Sequence, residues 1–110
     1  YRVAQESAGV VGLAGTGGVP DAPDRCELFA LYVDPRHQRR GVGRALLQDA
    51  LAQAREMHAT WLQVAVMPGN QPAIAFYDAM NFTPAGERPI YAPHGREGGP
   101  HVALVFQRAV

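Results

Sequence analysis

Apolar and polar positions alternate near the start of the chain, then switch to helical spacing in two later stretches. Tyr1, Val3 and Gln5 alternate with Arg2 and Ala4, which predicts a short strand. Glu6-Ser7-Ala8-Gly9 reads as a turn and Val10 to Ala14 as a second strand, so the two form a hairpin. Gly15 to Asp24 is rich in glycine and proline and reads as a loop. It precedes no helix and contains no lysine, so phosphate binding is not expected there. Cys26 to Val33 is apolar on both faces apart from Glu27, which suits a central strand covered on both sides.

Beyond Gly41 the period changes. Val42, Leu46, Leu47, Ala50, Leu51, Ala54 and Met57 repeat at helical spacing, which predicts a helix from about Gly41 to His58. Trp61 to Val66 is the next strand, and Met67-Pro68-Gly69 breaks it. Strand, helix and strand at this spacing imply a parallel crossover within one sheet. Asn70 is placed to cap a second helix with Pro72 in its first turn. Ala73, Phe76, Tyr77 and Met80 share one face of that helix, and Asn81 stands where a left-handed terminating residue belongs. Phe82 begins a strand or extended segment, Pro84 to Pro100 reads as a loop, and His101 to Gln107 as a last strand. Repeats, low-complexity tracts and dividing linkers are absent from the sequence, so residues 1–110 read as a single domain.

Composition narrows the function classes. A chain of 110 residues with 47% hydrophobic residues has the make-up of a globular domain, burying roughly two-thirds of its unfolded surface. Its formal net charge is zero and no basic stripe stands out, so nucleic acid is not the expected partner. All ten basic residues are arginine, which reads as coding bias. No apolar run reaches membrane-spanning length, so no membrane partner is expected. Cys26 is the only cysteine, which points to a cytoplasmic setting.

The chemistry concentrates between the third strand and the first helix. Gln38-Arg39-Arg40-Gly41-Val42-Gly43 lies where the first backbone N–H groups of a helix lack internal partners and the helix dipole is positive. Two glycines permit close approach to the backbone, and the arginines raise the local potential. Those are the requirements for holding a pyrophosphate.

Val33-Asp34-Pro35 followed by Gln38-x-x-Gly41-x-Gly43 resembles the acyl-CoA motif of the GNAT superfamily of N-acetyltransferases. A second segment, Asn70-x-x-Ala73-x-x-Phe76-Tyr77-x-x-x-Asn81-Phe82, is similar to the family's Asn, Ala, Phe-Tyr and Gly-Phe pattern, with Asn81 in place of the usual glycine. The resemblance implies the GNAT fold, an α/β architecture whose mixed, largely antiparallel sheet contains a parallel β-α-β crossover. It also implies transfer of an acetyl group from acetyl-CoA, as cosubstrate, to a primary amine, with no covalent enzyme intermediate. Family members usually begin with a strand and two helices ahead of the hairpin seen here at Tyr1. An N-terminally trimmed domain is therefore expected, or a homodimer in which a second subunit supplies the cover.

The site residues follow from the resemblance. Backbone groups of Leu31, Tyr32 and Val33 would pair with the pantetheine amides where parallel strands splay after Val33. The pyrophosphate would rest on N–H groups of Gln38, Arg39, Arg40, Gly41, Val42, Gly43, Arg44 and Ala45. Asn70 would hydrogen-bond the cofactor, and Tyr77 would protonate the departing thiolate. Each residue also has a plainer role. Tyr77 could be core, with Phe76 as packing, and Asn70 could be only a cap. Glu27 is either the base, directly or through water, or a strand-start carboxylate or the partner of an arginine. His37, His58, His94 and His101 lack metal-ligand spacing, so no metal is expected. Ser7 is the only serine and falls in a turn, which argues against a serine nucleophile, and Cys26 should face away from Glu27 as a buried bystander.

Two other readings remain. One is a module of the same fold that binds or senses acyl-CoA without turnover. The other is a nucleotide-phosphate binder of another family, for which the Walker lysine and the third dinucleotide-loop glycine are both lacking.

Overall fold

The Cys26–Val33 stretch does form a strand, but one that begins at Ala22. The computed structural model describes residues 2–6, 9–34, 41–90 and 101–110. The elements in order are β1 (Arg2–Glu6), β2 (Gly9–Val19), β3 (Ala22–Val33), α1 (Val42–Glu56), β4 (Trp61–Val66), α2 (Gln71–Ala79), β5 (Thr83–Ile90) and β6 (His101–Ala109). They fall into two compact units, residues 1–63 with 109–110, and residues 64–108.

In the first unit β1, β2 and β3 are antiparallel neighbours, and β4 pairs parallel to β3. The segment expected to loop from Gly15 to Asp24 is instead a long hairpin. Val19 pairs with Ala22 across Pro20 and Asp21, where proline presets φ and Asp21 turns left-handed at φ 61°. Between the pairs Gly15↔Ala30 and Thr16↔Leu28 the register slips, leaving Phe29 as an extra residue on β3.

Helix α1 covers one face of this sheet. Its buried stripe is Leu46, Leu47, Ala50, Leu51 and Ala54, the face marked by the sequence period. Each leucine contributes about 1.5–3 kcal/mol by leaving water. Cys26 and Leu28 of β3 are buried on the α1 side. There Thr16 donates to Gln53 Oε1 at 2.8 Å, and the Cys26 thiol donates to Met57 Sδ at 3.8 Å. Burial raises the thiol's pKa, so Cys26 is the inert bystander expected. On the opposite face Val3, Phe29 and Tyr32 are 56, 52 and 54% exposed. At Phe29 and Tyr32, then, the second face of β3 is open rather than covered.

Both helices end in the same way. Ala59 N–H reaches the Ala54 carbonyl and His58 N–H the Arg55 carbonyl, with His58 at φ 60°. In α2, Phe82 N–H reaches Tyr77 and Asn81 N–H reaches Asp78, with Asn81 at φ 69°, as its position in the sequence implied. A histidine is not an obvious left-handed terminator, so α1 stops slightly earlier than expected.

In the second unit β6 lies between β4 and β5. Pro84 to Ile90, expected within a loop, belongs to β5, which pairs antiparallel with β6. Pro84 and Pro89 cannot donate to a ladder, but β5 is an edge strand, where proline is tolerated. Arg108 Nη1 donates to the Met80 carbonyl at 2.9 Å, closing the C-terminus of α2 with a cation. The remainder of the expected loop, residues 91–100, lies outside the described residues.

The contact that seats α1 is at Gly12 of β2. A Cβ there would stand 2.9 Å from the Tyr32 carbonyl oxygen, 3.0 Å from Leu46 Cδ1 and 3.1 Å from Val42 Cγ1. Gly12→Ala should therefore lower stability in urea by about 1–3 kcal/mol, as overpacking does. Gly18→Ala, whose Cβ would meet Met57 Cε at an ordinary 3.7 Å, should fall well short of that loss. Equal urea midpoints for the two variants would contradict the tight seat.

Candidate active site

The loop that follows β3 and opens α1 is described from Gly41 onward; Gln38, Arg39 and Arg40 lie outside the described residues. Gly41 is the N-cap of α1 at φ 78°, a left-handed conformation that glycine adopts without the penalty of a Cβ. It is exposed, with nothing within 4 Å of a Cβ built there. The helix start carries no side-chain cap and no acidic residue in its first turn. Ala45, expected among the phosphate donors, gives its N–H to the Gly41 carbonyl at 2.9 Å. The Ala45 N–H is thus engaged within the helix, whereas those of Val42, Gly43 and Arg44 have no acceptor within it. Gly43 is half-buried, and the Arg44 and Ala45 side chains are exposed.

β3 delivers the chain to this helix. Leu31, Tyr32 and Val33 pair with Ala14, Leu13 and Gly12, so β2 occupies one edge of the stretch. Tyr32 and Val42 both abut Gly12, which brings the end of β3 next to the first turn of α1. The parallel ladder to β4 consists of Arg25↔Trp61, Cys26↔Leu62 and Glu27↔Gln63. It stops at Glu27, well before the splay expected after Val33. The Phe29 bulge two residues later re-aims the rest of β3.

Glu27 is half-buried, not exposed at a strand start. Its Oε1 accepts from Gln63 Nε2 at 3.1 Å, and Gln63 Oε1 in turn accepts from Arg25 Nη1 at 3.2 Å. Gln63 thus bonds both Glu27 and Arg25. Gln63 was missed as a site residue. Its signal was a polar side chain between Leu62 and Val64 in an otherwise apolar strand, and it is only 6% exposed.

In the second unit α2 carries Asn70 and Tyr77, two helical turns apart. Asn70 is exposed and its Oδ1 accepts from Ala73 N–H at 3.3 Å, so the capping role is real. Tyr77 is buried, met edge-on by Phe76 at 5.3 Å and by Phe82 at 5.2 Å between ring centroids. Burial lifts its phenol from the ordinary 10 to about 12. A neutral hydroxyl held against ionisation can donate a proton, and cannot act as a base near neutrality.

The chain belongs to the GNAT family. Residues 1–82 match the family model described as Acetyltransferase (GNAT) family. The chain is 37% identical over 83 residues to the ribosomal protein bS18-alanine N-acetyltransferase of Escherichia coli (strain K12), an alignment covering 74% of this chain and 56% of that enzyme. It thus spans about half the length of the curated relatives it matches. Among solved structures it resembles nourseothricin acetyltransferase, with TM-score 0.84 and 30% identity over 97% of this chain and 62% of that one. It shares its fold with yncA from Salmonella typhimurium, solved with acetyl-CoA, at TM-score 0.76 and 24% identity over 97% of this chain and 62% of that one. No helix among the described residues is long and apolar enough to cross a membrane.

The buried phenol makes alkaline stability a direct check on its environment. Between pH 10 and 12 the unfolded chain has lost the Tyr77 proton and the folded chain retains it. Folding stability supplied by Tyr77 is therefore intact below pH 10 and lost as pH rises through about 12, a loss of about 2–3 kcal/mol. Tyr77→Phe should flatten this part of the stability profile. An unchanged alkaline slope would mean that the hydroxyl is solvated.

Proposed function

We propose that this protein transfers the acetyl group of acetyl-CoA to a primary amine by direct attack. The observation that carries the reading is the uncapped start of α1, where a left-handed Gly41 leads into N–H groups of Val42, Gly43 and Arg44 without an acidic residue nearby. That arrangement suits a pyrophosphate. Gln38, Arg39 and Arg40 extend the cradle in the family pattern, and the backbone of Leu31 to Val33 takes the pantetheine amides. Asn70 combines its cap with a contact to the cofactor. The amine nitrogen attacks the thioester carbonyl, the carbon–sulfur bond breaks, and the thiolate takes the Tyr77 proton. The proton lost by the amine goes to Glu27, directly or through one water. No metal enters this scheme.

The E. coli relative acts on an alanine of ribosomal protein bS18, so a short peptide with an N-terminal alanine is the first acceptor to assay. Small amines form the rest of the panel. A lone, buried thiol accords with a cytoplasmic setting.

The test has two arms. Gly43→Asp places a carboxylate in the first turn of α1, where it favours the helix but repels a phosphate. The CoA dissociation constant should rise about tenfold or more while the melting temperature holds or increases. Unchanged affinity in the folded variant would remove this helix start from the site. Tyr77→Phe keeps the ring contacts and removes the proton, so kcat should fall about 100-fold or more with little change in CoA affinity. Near-normal turnover would assign the proton to water, and CoA binding without acetylated product would leave an acyl-CoA-binding module.

A further inference from the structure

We propose that Gln63 is a positioning residue for Glu27, holding the carboxylate oriented and ready to accept the amine proton. The inference rests on the base role given to Glu27 above. Arg25 and Trp61 are register partners in the parallel ladder, as are Glu27 and Gln63. Because side chains alternate along a strand, all four stand on one face, opposite to the face on which Cys26 packs against α1. The result is a two-by-two array across two strands. The Arg25 guanidinium lies 5.9 Å over the Trp61 ring, reaches Gln63 Oε1 at 3.2 Å, and leaves Gln63 Nε2 directed to Glu27 at 3.1 Å.

The chemistry of the partners dictates the orientation of the amide. A flipped Gln63 would set its NH2 against a guanidinium that only donates, and its oxygen against a carboxylate that accepts. The amide therefore cannot rotate without losing both bonds. Among the described residues Gln63 is the polar side chain in the buried class, at 6% exposure. Placing an amide there is costly unless it is fully bonded, and an apolar residue would fill the strand at less risk. What the amide adds is a fixed N–H aimed at a carboxylate, which favours the charged, proton-accepting form.

Groups besides Gln63 also bear on Glu27. β2 sets Gly17 opposite it, which carries no charge, and β4 presents Gln63 and Trp61. On its own strand are the Arg25 guanidinium and the Cys26 thiol, which burial keeps protonated. Replacement of Gln63 removes one hydrogen bond to the Glu27 carboxyl.

Gln63→Met keeps the apolar volume and removes both hydrogen bonds. In carbon-13-labelled protein the Glu27 carboxyl should titrate at a higher pH than in the parent chain, a readout that needs no acceptor substrate. With the peptide or amine that turns over above, kcat should fall about tenfold while KM for acetyl-CoA stays within about twofold. Gln63→Glu, with the same shape, should raise the titration further, since two carboxylates would then face each other; it also serves if Gln63→Met fails to fold. A folded variant with unmoved Glu27 titration and normal kcat overturns the positioning role while leaving the base role intact. Glu27→Gln with normal turnover overturns the base role, and the positioning role with it.

Discussion

The close approach of α1 to β2 at Gly12 is the constraint on which the first unit depends. A glycine at that register lets Leu46 and Val42 settle onto the sheet beside the Tyr32 carbonyl. That contact ties the first turn of the helix to the end of β3. The N–H groups of Val42, Gly43 and Arg44 therefore open where the strand ends, rather than at an arbitrary place on the surface. Cofactor binding in the proposed reaction draws on the same contact that packs the core.

Two polar side chains, one in each unit, have different surroundings. Tyr77 is enclosed by Phe76 and Phe82, and its environment resists loss of the proton. Glu27 instead accepts from the Gln63 amide, in a row that runs on to Arg25. Each environment arises from packing and hydrogen bonding within its own unit.

Much of the architecture was legible because it is local. The α1 stripe, the Asn70 cap and the left-handed Asn81 each depend on residues within one or two turns, and all three appear where the periodicity put them. The motif from Val33 to Gly43 and the segment from Asn70 to Phe82 carried the family resemblance, and the family match over residues 1–82 agrees with it.

Tertiary structure decided what depends on distant partners. Gly15 to Val19 is strand only because β3 returns across Pro20 and Asp21, and Thr83 to Ile90 is strand only because β6 lies beside it. Glycine and proline lower the intrinsic preference in both places, and ladder hydrogen bonds override it. The Phe29 bulge, the exposed face bearing Val3 and Tyr32, and the engagement of Ala45 N–H within α1 are likewise matters of register and packing. Gln63 shows the division most plainly. The sequence by itself determined that an amide stands in an apolar strand. Only the pairing of β3 with β4 decided that it would join Arg25 to Glu27, because a parallel register aligns residues that are far apart along the chain.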